Sequence, residues 1–168
     1  LSPKIHNHWI ESKKIDVGAY QKINVKKENF ISDVDRLIEE GYYGLNVTVP
    51  LKEDAYKYCD NTSDVARTLK AVNTLIVNKD GVYGDNTDPI GFEKSIANRG
   101  LNNKPCLVLG AGGSARAVVY ALTHMKCEIG IYNRTRENAE SLCSDLGVEA
   151  TVLTCLLYTS PSPRDNTT

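Results

Sequence analysis

Apolar residues recur at helical spacing in residues 29–40, where Phe30, Val34, Leu37 and Ile38 fall on one face before Gly41, so an amphipathic helix is predicted there. Upstream, residues 3–14 read as a helix with Pro3 at its favoured first position, and residues 18–25 as a strand. Downstream, residues 44–49 read as a strand, and Pro50 opens a helix through Tyr58. A shorter helical piece covers 63–69. Residues 71–78 and 82–84 are strands joined at Lys79-Asp80-Gly81, whose Asp-Gly dipeptide is a hairpin signal. Residues 88–99 form a helix closed by Gly100, and the polar stretch 101–104 links it to a short apolar run at 106–109. Ala117, Val118, Ala121, Leu122 and Met125 then recur at helical spacing, followed by a strand at 127–132 and a helix at 137–146 with Thr135 as its N-cap. The alternation of strands and helices is that of an α/β chain, and no repeat of solenoid period is present.

One stretch of this pattern carries chemistry. The run 106–109 suits a buried parallel strand, and Gly110-Ala111-Gly112-Gly113-Ser114-Ala115 follows it directly. Gly110 permits a tight strand-to-helix turn, Gly112 lets the backbone approach a pyrophosphate, and Ala115 is small enough for close helix-on-strand packing. The N–H groups of the next helix, backed by its dipole, make an anion site, so Gly-x-Gly-x-x-Ala reads here as a dinucleotide fingerprint in a βαβ unit. NAD-binding folds usually carry Asp or Glu at the end of the second strand. Here that strand ends in Asn133-Arg134-Thr135-Arg136, which offers guanidinium groups to a 2′-phosphate and no carboxylate to repel it, favouring NADP. The alternative is a solvated basic turn that caps the following helix.

The whole chain adds bounds. Its 168 residues can hold one domain or two small ones, and 41% apolar content is ordinary. A net charge of −1 implies neither a nucleic-acid nor a membrane partner, and no apolar run approaches the roughly 18 residues of a membrane span. Cys59, Cys106, Cys127, Cys143 and Cys155 form no C-x-x-C pair, which fits reduced core thiols and a cytoplasmic location, although an odd count leaves one disulfide or a reactive thiol open. His6, His8 and His124 lie outside metal-ligand spacing, and no metal is expected. The chain opens at Leu1 without Met, and residues 155–168 lose all periodicity around Pro161 and Pro163. That tail reads as a non-native appendage to a truncated frame, resembling a translated sequencing adapter; a disordered Ser/Pro terminus is the alternative.

Three further motifs give a resemblance. Gly44-Leu45-Asn46-Val47-Thr48-Val49-Pro50-Leu51-Lys52, Ala71-Val72-Asn73-Thr74-Leu75 and Gly84-Asp85-Asn86-Thr87-Asp88 closely resemble substrate-domain motifs of the shikimate dehydrogenase family. The opening Leu1-Ser2-Pro3-Lys4-Ile5-His6-Asn7 looks like the remainder of that family's Ser-x-Ser-Pro motif, and the glycine loop with Asn133-Arg134-Thr135 matches its NADP site. The five motifs, in order, cover residues 1 to about 147. The resemblance implies an N-terminal substrate domain with a mixed sheet, residues 1–88, then the first part of a Rossmann-type NADP-binding domain, residues 89–154. It also implies that the family's leading strand, first serine, later cofactor-sheet strands and carboxy-terminal glutamine motif lie outside this chain.

By the same resemblance, Lys52 and Asp88 are the pair that moves a proton at the hydroxyl being oxidised, and Ser2, Thr48, Asn73 and Asn86 hold the substrate. Gly110, Ala111, Gly112, Gly113, Ser114 and Ala115 form the pyrophosphate loop, and Asn133, Arg134 and Thr135 the 2′-phosphate pocket. The implied reaction is NADP-dependent interconversion of shikimate and 3-dehydroshikimate in aromatic amino-acid biosynthesis. Charge builds on the ketone oxygen during hydride transfer, and a lysine can both face that charge and release a proton, whereas an arginine cannot. Which of Lys52 and Asp88 is the formal acid stays open. A quinate/shikimate dehydrogenase using NAD or NADP is the near rival, and a non-enzymatic dinucleotide-sensing regulator the distant one; a homodimer is left open. Lys70 and Pro89 stand where the family usually has glycine, and Asn138 where it is commonly basic, so that Arg136 is the replacement candidate.

Overall fold

The computed structural model describes residues 1–153; the expected non-native tail, residues 155–168, and Cys155 lie outside the described residues. The first part comprises α1 (Ser2–Ser12), α2 (Phe30–Glu39), β1 (Gly44–Asn46), α3 (Lys52–Tyr58), β2 (Asn61–Thr62), α4 (Asp64–Leu69), β3 (Thr74–Asn78) and β4 (Gly81–Asp85). Its sheet has the order β1-β3-β4-β2, antiparallel except for the parallel β2–β4 edge, so the mixed sheet expected of the substrate domain is present. The β3–β4 hairpin turns through Lys79 and Asp80, with Asn78 paired to Gly81. Gly81 takes a φ of 110°, open to glycine at little cost, and Asn78 Oδ1 accepts from the Asp80 N–H at 2.8 Å to hold the turn.

Then α5 (Asp88–Ile96) runs into a 3₁₀ turn (Ala97–Arg99) and a left-handed Gly100. It leads to β5 (Pro105–Leu109), α6 (Gly113–His124), β6 (Glu128–Tyr132), α7 (Arg136–Leu146) and β7 (Thr151–Leu153). The three strands are all parallel in the order β5-β6-β7, the first turns of a Rossmann-type sheet. None of the described helices is long and apolar enough to cross a membrane.

Two cores follow from this division. Phe30, Val34, Ala55, Ala66, Val72, Leu75 and Val82 fill the first, and Val108, Val119, Leu122, Ile129, Ile131, Ala139 and Leu142 the second. Leu69, Ala71 and Ala117 make a third, smaller cluster where α4 meets α6, and α5 packs along α6. Ser63 caps α4, its Oγ accepting from the Ala66 N–H at 3.1 Å.

Several expected elements differ. Residues 18–25 are not a strand: they pair with no neighbouring strand among the described residues and, with residues 41–51, line a groove of about 670 Å³. Tyr20 is pinned by its backbone N–H and C=O, both bonded to the Asn7 amide, and Gln21 Oε1 accepts from Tyr42 Oη at 3.0 Å. The strand expected at 44–49 pairs regularly only to Asn46, and the helix expected from Pro50 starts at Lys52 because Leu51 N–H first turns back onto the Thr48 carbonyl. Thr135 occupies the N-cap of α7 without a side-chain cap bond. The two-residue β2 and the three-residue β7 carry too little pattern to be read from sequence, and they exist because β4 and β6 offer them an edge.

Candidate active site and dinucleotide loop

The hairpin builds one site. Because β3 and β4 pair to their ends, Asn73 N–H reaches the Asp85 carbonyl at 3.0 Å, which sets the residues entering β3 beside those leaving β4. Val72 N–H donates to the Lys52 carbonyl at 2.9 Å, drawing the first turn of α3 to the same place. Lys52 and Asp88, the first residues of α3 and α5, therefore meet across 36 positions.

Lys52 is 9% exposed, and a buried ammonium needs a partner. Its Nζ donates to Asp88 Oδ2 at 2.5 Å, while Asn73 Nδ2 donates to Asp88 Oδ1 at 2.8 Å. Both carboxylate oxygens are thus held, one by a cation and one by an amide. The arrangement presents an ammonium and a fixed carboxylate, partly open to solvent, where a proton can be given or taken at a substrate oxygen.

Asn86, expected to hold substrate, has its amide bonded inside the protein. It is 4% exposed; its Nδ2 donates to the Ala71 carbonyl at 2.9 Å, and its Oδ1 accepts from the Asp88 N–H at 3.0 Å. Both ends of the amide are engaged inside the protein, so Asn86 positions Asp88 and the start of α5. Ser2 and Thr48 are exposed and make no side-chain hydrogen bond among the described residues, and Thr48 lines the groove beside Tyr20 and Asn46. Pro89 sits buried in the first turn of α5, where its missing N–H costs nothing.

At the far end of β5 the chain makes the second site. Gly110 has a φ of 111° and donates its N–H to the Tyr132 carbonyl at 2.7 Å, locking the turn across β5 and β6. Gly112 is the N-cap of α6 with no side-chain cap bond, and a Cβ at Gly110, Gly112 or Gly113 would meet no atom within 4 Å. The open space over uncapped helix N–H groups is what a pyrophosphate needs, and Ala111 and Ala115 pack on the second core beneath it. At the end of β6, Asn133 Nδ2 donates to the Thr135 carbonyl at 2.7 Å, and Arg134 is exposed with no ion pair among the described residues. Arg136 is less available, because its Nε donates to Glu140 at 2.6 Å. These residues fit a 2′-phosphorylated dinucleotide.

Sequence reasoning missed a third arrangement. Lys70 adopts the left-handed conformation (φ 50°, ψ 37°) that ends α4, where the resembled family places glycine, and its Nζ donates to Asp145 Oδ1 at 2.7 Å. Arg116 Nη2 donates to Asp145 Oδ2 at 2.6 Å. Lys70 and Arg116 together hold the Asp145 carboxyl below its ordinary value. Nothing local in the sequence marks this bridge between α4, α6 and α7. The four described cysteines are free and half-buried, and burial pushes the Cys59 thiol up to about 11.

A mixed-sheet part presenting a half-buried lysine–aspartate pair, joined to a Rossmann-type part with an open glycine loop, defines a two-part α/β protein of the dinucleotide-binding class. Models of known families match both parts: the shikimate dehydrogenase substrate binding domain over residues 1–75 and shikimate / quinate 5-dehydrogenase over residues 93–158. The chain is 41% identical over 149 residues to shikimate dehydrogenase (NADP(+)) of Acidiphilium cryptum, an alignment covering 88% of this chain and 54% of that protein. Among solved structures it superposes with a TM-score of 0.84 on shikimate dehydrogenase from Aquifex aeolicus, at 34% identity over 91% of this chain and 57% of that one. With shikimate 5-dehydrogenase of Thermus thermophilus in complex with shikimate, the TM-score is 0.79 at 32% identity, over 98% of this chain and 68% of that one. The chain belongs to the shikimate dehydrogenase family. It spans about half the length of the curated relatives it matches.

Proposed function

We propose that the full-length protein catalyses the reversible NADP-dependent reduction of 3-dehydroshikimate to shikimate, a step of aromatic amino-acid biosynthesis, in the cytoplasm. The observation that carries this reading is the buried Lys52 ammonium on Asp88, with Asn73 on the opposite carboxylate oxygen. Lys52 and Asp88 give or take the proton at the reacting oxygen, and the ammonium faces the charge that develops there. Ser2, Thr48 and Asn73 supply neutral donors and acceptors for a polyhydroxylated acid, and Asn86 acts through Asp88. The loop from Gly110 to Ala115 would hold the pyrophosphate of NADP and Asn133, Arg134 and Thr135 its 2′-phosphate; when bound, the reduced cofactor would supply the hydride for reduction and the oxidised cofactor would accept it in the reverse direction. The reading divides the chain into a substrate part, residues 1–88, and a cofactor part, residues 89–154.

The test is direct. Purified full-length protein is given shikimate or quinate with NADP or NAD, and reduced nicotinamide is followed by absorbance. Oxidation of shikimate with NADP, preferred over both quinate and NAD, is expected. Equal turnover of quinate would move the reading to a quinate/shikimate dehydrogenase, and cofactor binding without turnover of either acid would move it to a dinucleotide sensor.

A further inference from the structure

The lysine–aspartate pair stands at one end of a longer chain of side-chain hydrogen bonds. Asn73 Oδ1 lies 3.1 Å from the Thr87 N–H, and a backbone N–H can only donate, so the oxygen of the Asn73 amide faces Thr87 and its nitrogen faces Asp88. Thr74 Oγ1, 2.9 Å from the same oxygen, must therefore donate to it. The Thr74 hydroxyl then has only lone pairs left for Asn46, which presents Nδ2 at 3.3 Å across the β1–β3 register. Asn46 Oδ1, turned outward by that choice, accepts from Tyr20 Oη at 3.1 Å. Tyr20 is itself clamped to α1: the Asn7 amide bonds both its N–H and its C=O, and its ring stacks on His6 at 4.3 Å.

We infer that Tyr20, Asn46 and Thr74 form a positioning relay that fixes the Asn73 amide, and through it the orientation of Asp88 toward Lys52. Every donor in the relay points the same way, from Tyr20 to Asp88. Reversing the Asn73 amide would set its oxygen against the Asp88 carboxylate and its NH2 against the Thr87 N–H, and would take from the Thr74 hydroxyl the acceptor it now donates to. The relay also ties α1, which carries Ser2, to the reacting pair. None of the three residues touches Lys52 or Asp88; they act through Asn73.

The inference rests on the reading of Lys52 and Asp88 as the proton-transferring pair, and its test separates the two. In the full-length protein, Thr74→Val keeps the shape of the side chain and deletes the hydroxyl. It should lower kcat roughly tenfold, the rate equivalent of one hydrogen bond, with a smaller change in the KM for shikimate. Thr74→Ser should restore kcat to within about twofold, and the exposed Asn46→Ala should reproduce the loss more weakly because Thr87 still holds Asn73. A second readout needs no turnover: the side-chain amide protons of Asn73, resolved by selective nitrogen labelling, should exchange faster in Thr74→Val and Asn46→Ala and at the parental rate in Thr74→Ser. Parental exchange in both Thr74→Val and Asn46→Ala overturns the relay, as does a Thr74→Ser variant as impaired as Thr74→Val. A parent that exchanges slowly, with faster exchange in Thr74→Val, but does not oxidise shikimate overturns the proposed function and supports the relay.

Discussion

Replacing Asp145 by asparagine should destabilise the protein more than removing the surface charge of Lys70 beside it. The Asp145 carboxylate accepts from Lys70, whose side chain is 53% exposed, and from Arg116, whose side chain is 13% exposed. The first pair is a surface ion pair and contributes at most about 1 kcal/mol, and less in salt. The second is different. Arg116 Nη1 already lacks a partner among the described residues, so loss of the carboxylate leaves a mostly buried guanidinium held there only by a neutral amide oxygen. A hydrogen bond to a charged group is worth about 1.5–3 kcal/mol, and breaking a fully buried pair costs about 3–5, so about 2–3 kcal/mol is expected for this partly open site. At about 2–4 °C per kcal/mol for a chain of this size, Asp145→Asn should lower Tm by about 4–12 °C. Lys70→Met should lower it by no more than about 4 °C on the same scale.

Urea unfolding of the parent and both variants gives the free energies, and the pH dependence gives an independent check. The folded state holds the Asp145 carboxyl below its ordinary value, so its contribution is complete above that value, 3.8, and is lost as pH falls through the lowered one. The gap between parent and Asp145→Asn should therefore be constant near neutrality and close on acidification below pH 3.8. Equal losses for Lys70→Met and Asp145→Asn, or a gap that widens in acid, would refute the assignment of the energy to the Arg116 pair.

Other outcomes follow from the two sites, each in the full-length protein. On the proposed reading Lys52→Ala removes both a proton donor and the cation facing the reacting oxygen, and kcat should fall at least about 100-fold with a much smaller change in KM; a normal kcat with raised KM would make Lys52 a substrate anchor only. Asp88→Asn should also slow turnover, and the double variant should lose less than the two added together, as a unit does. Arg134→Ala should weaken NADP binding by about 1.5–3 kcal/mol and leave NAD binding nearly unchanged, checked by titration of each cofactor. Cys59, its thiol pushed up to about 11, should be alkylated at neutral pH far more slowly than a free thiol, a rate measured by mass spectrometry of the modified peptide.

The elements that the hydrophobic pattern located well are those whose signal is local. The amphipathic face of α2, the two-residue hairpin at Lys79-Asp80 and the strand–glycine–helix turn at Gly110 each depend on residues a few positions apart, and the structure contains all three. Lys52, Asp88 and Asn73 were singled out through short motifs that resemble a known family, and the structure brings their side chains together.

Sequence pattern by itself thus determined the α/β alternation and the glycine loop, and the family resemblance pointed to Lys52 and Asp88 as a pair. Tertiary structure alone decided which groups those residues meet. A strand needs an edge to pair with, so residues 18–25, whose composition suits a strand, pair with none of the described strands, while the two residues of β2 become a strand because β4 is beside them. Asn86 has the same chemistry as Asn73, yet one is buried with its amide spent on Ala71 and Asp88 and the other reaches the carboxylate, a difference set by which side of the hairpin end each faces. Lys70, an ordinary surface lysine by composition, becomes a bridge because a left-handed residue ends α4 opposite Asp145, 75 positions away. Helical and turn periodicities reach only three or four residues, and hydrogen bonds between distant segments are settled when the cores close.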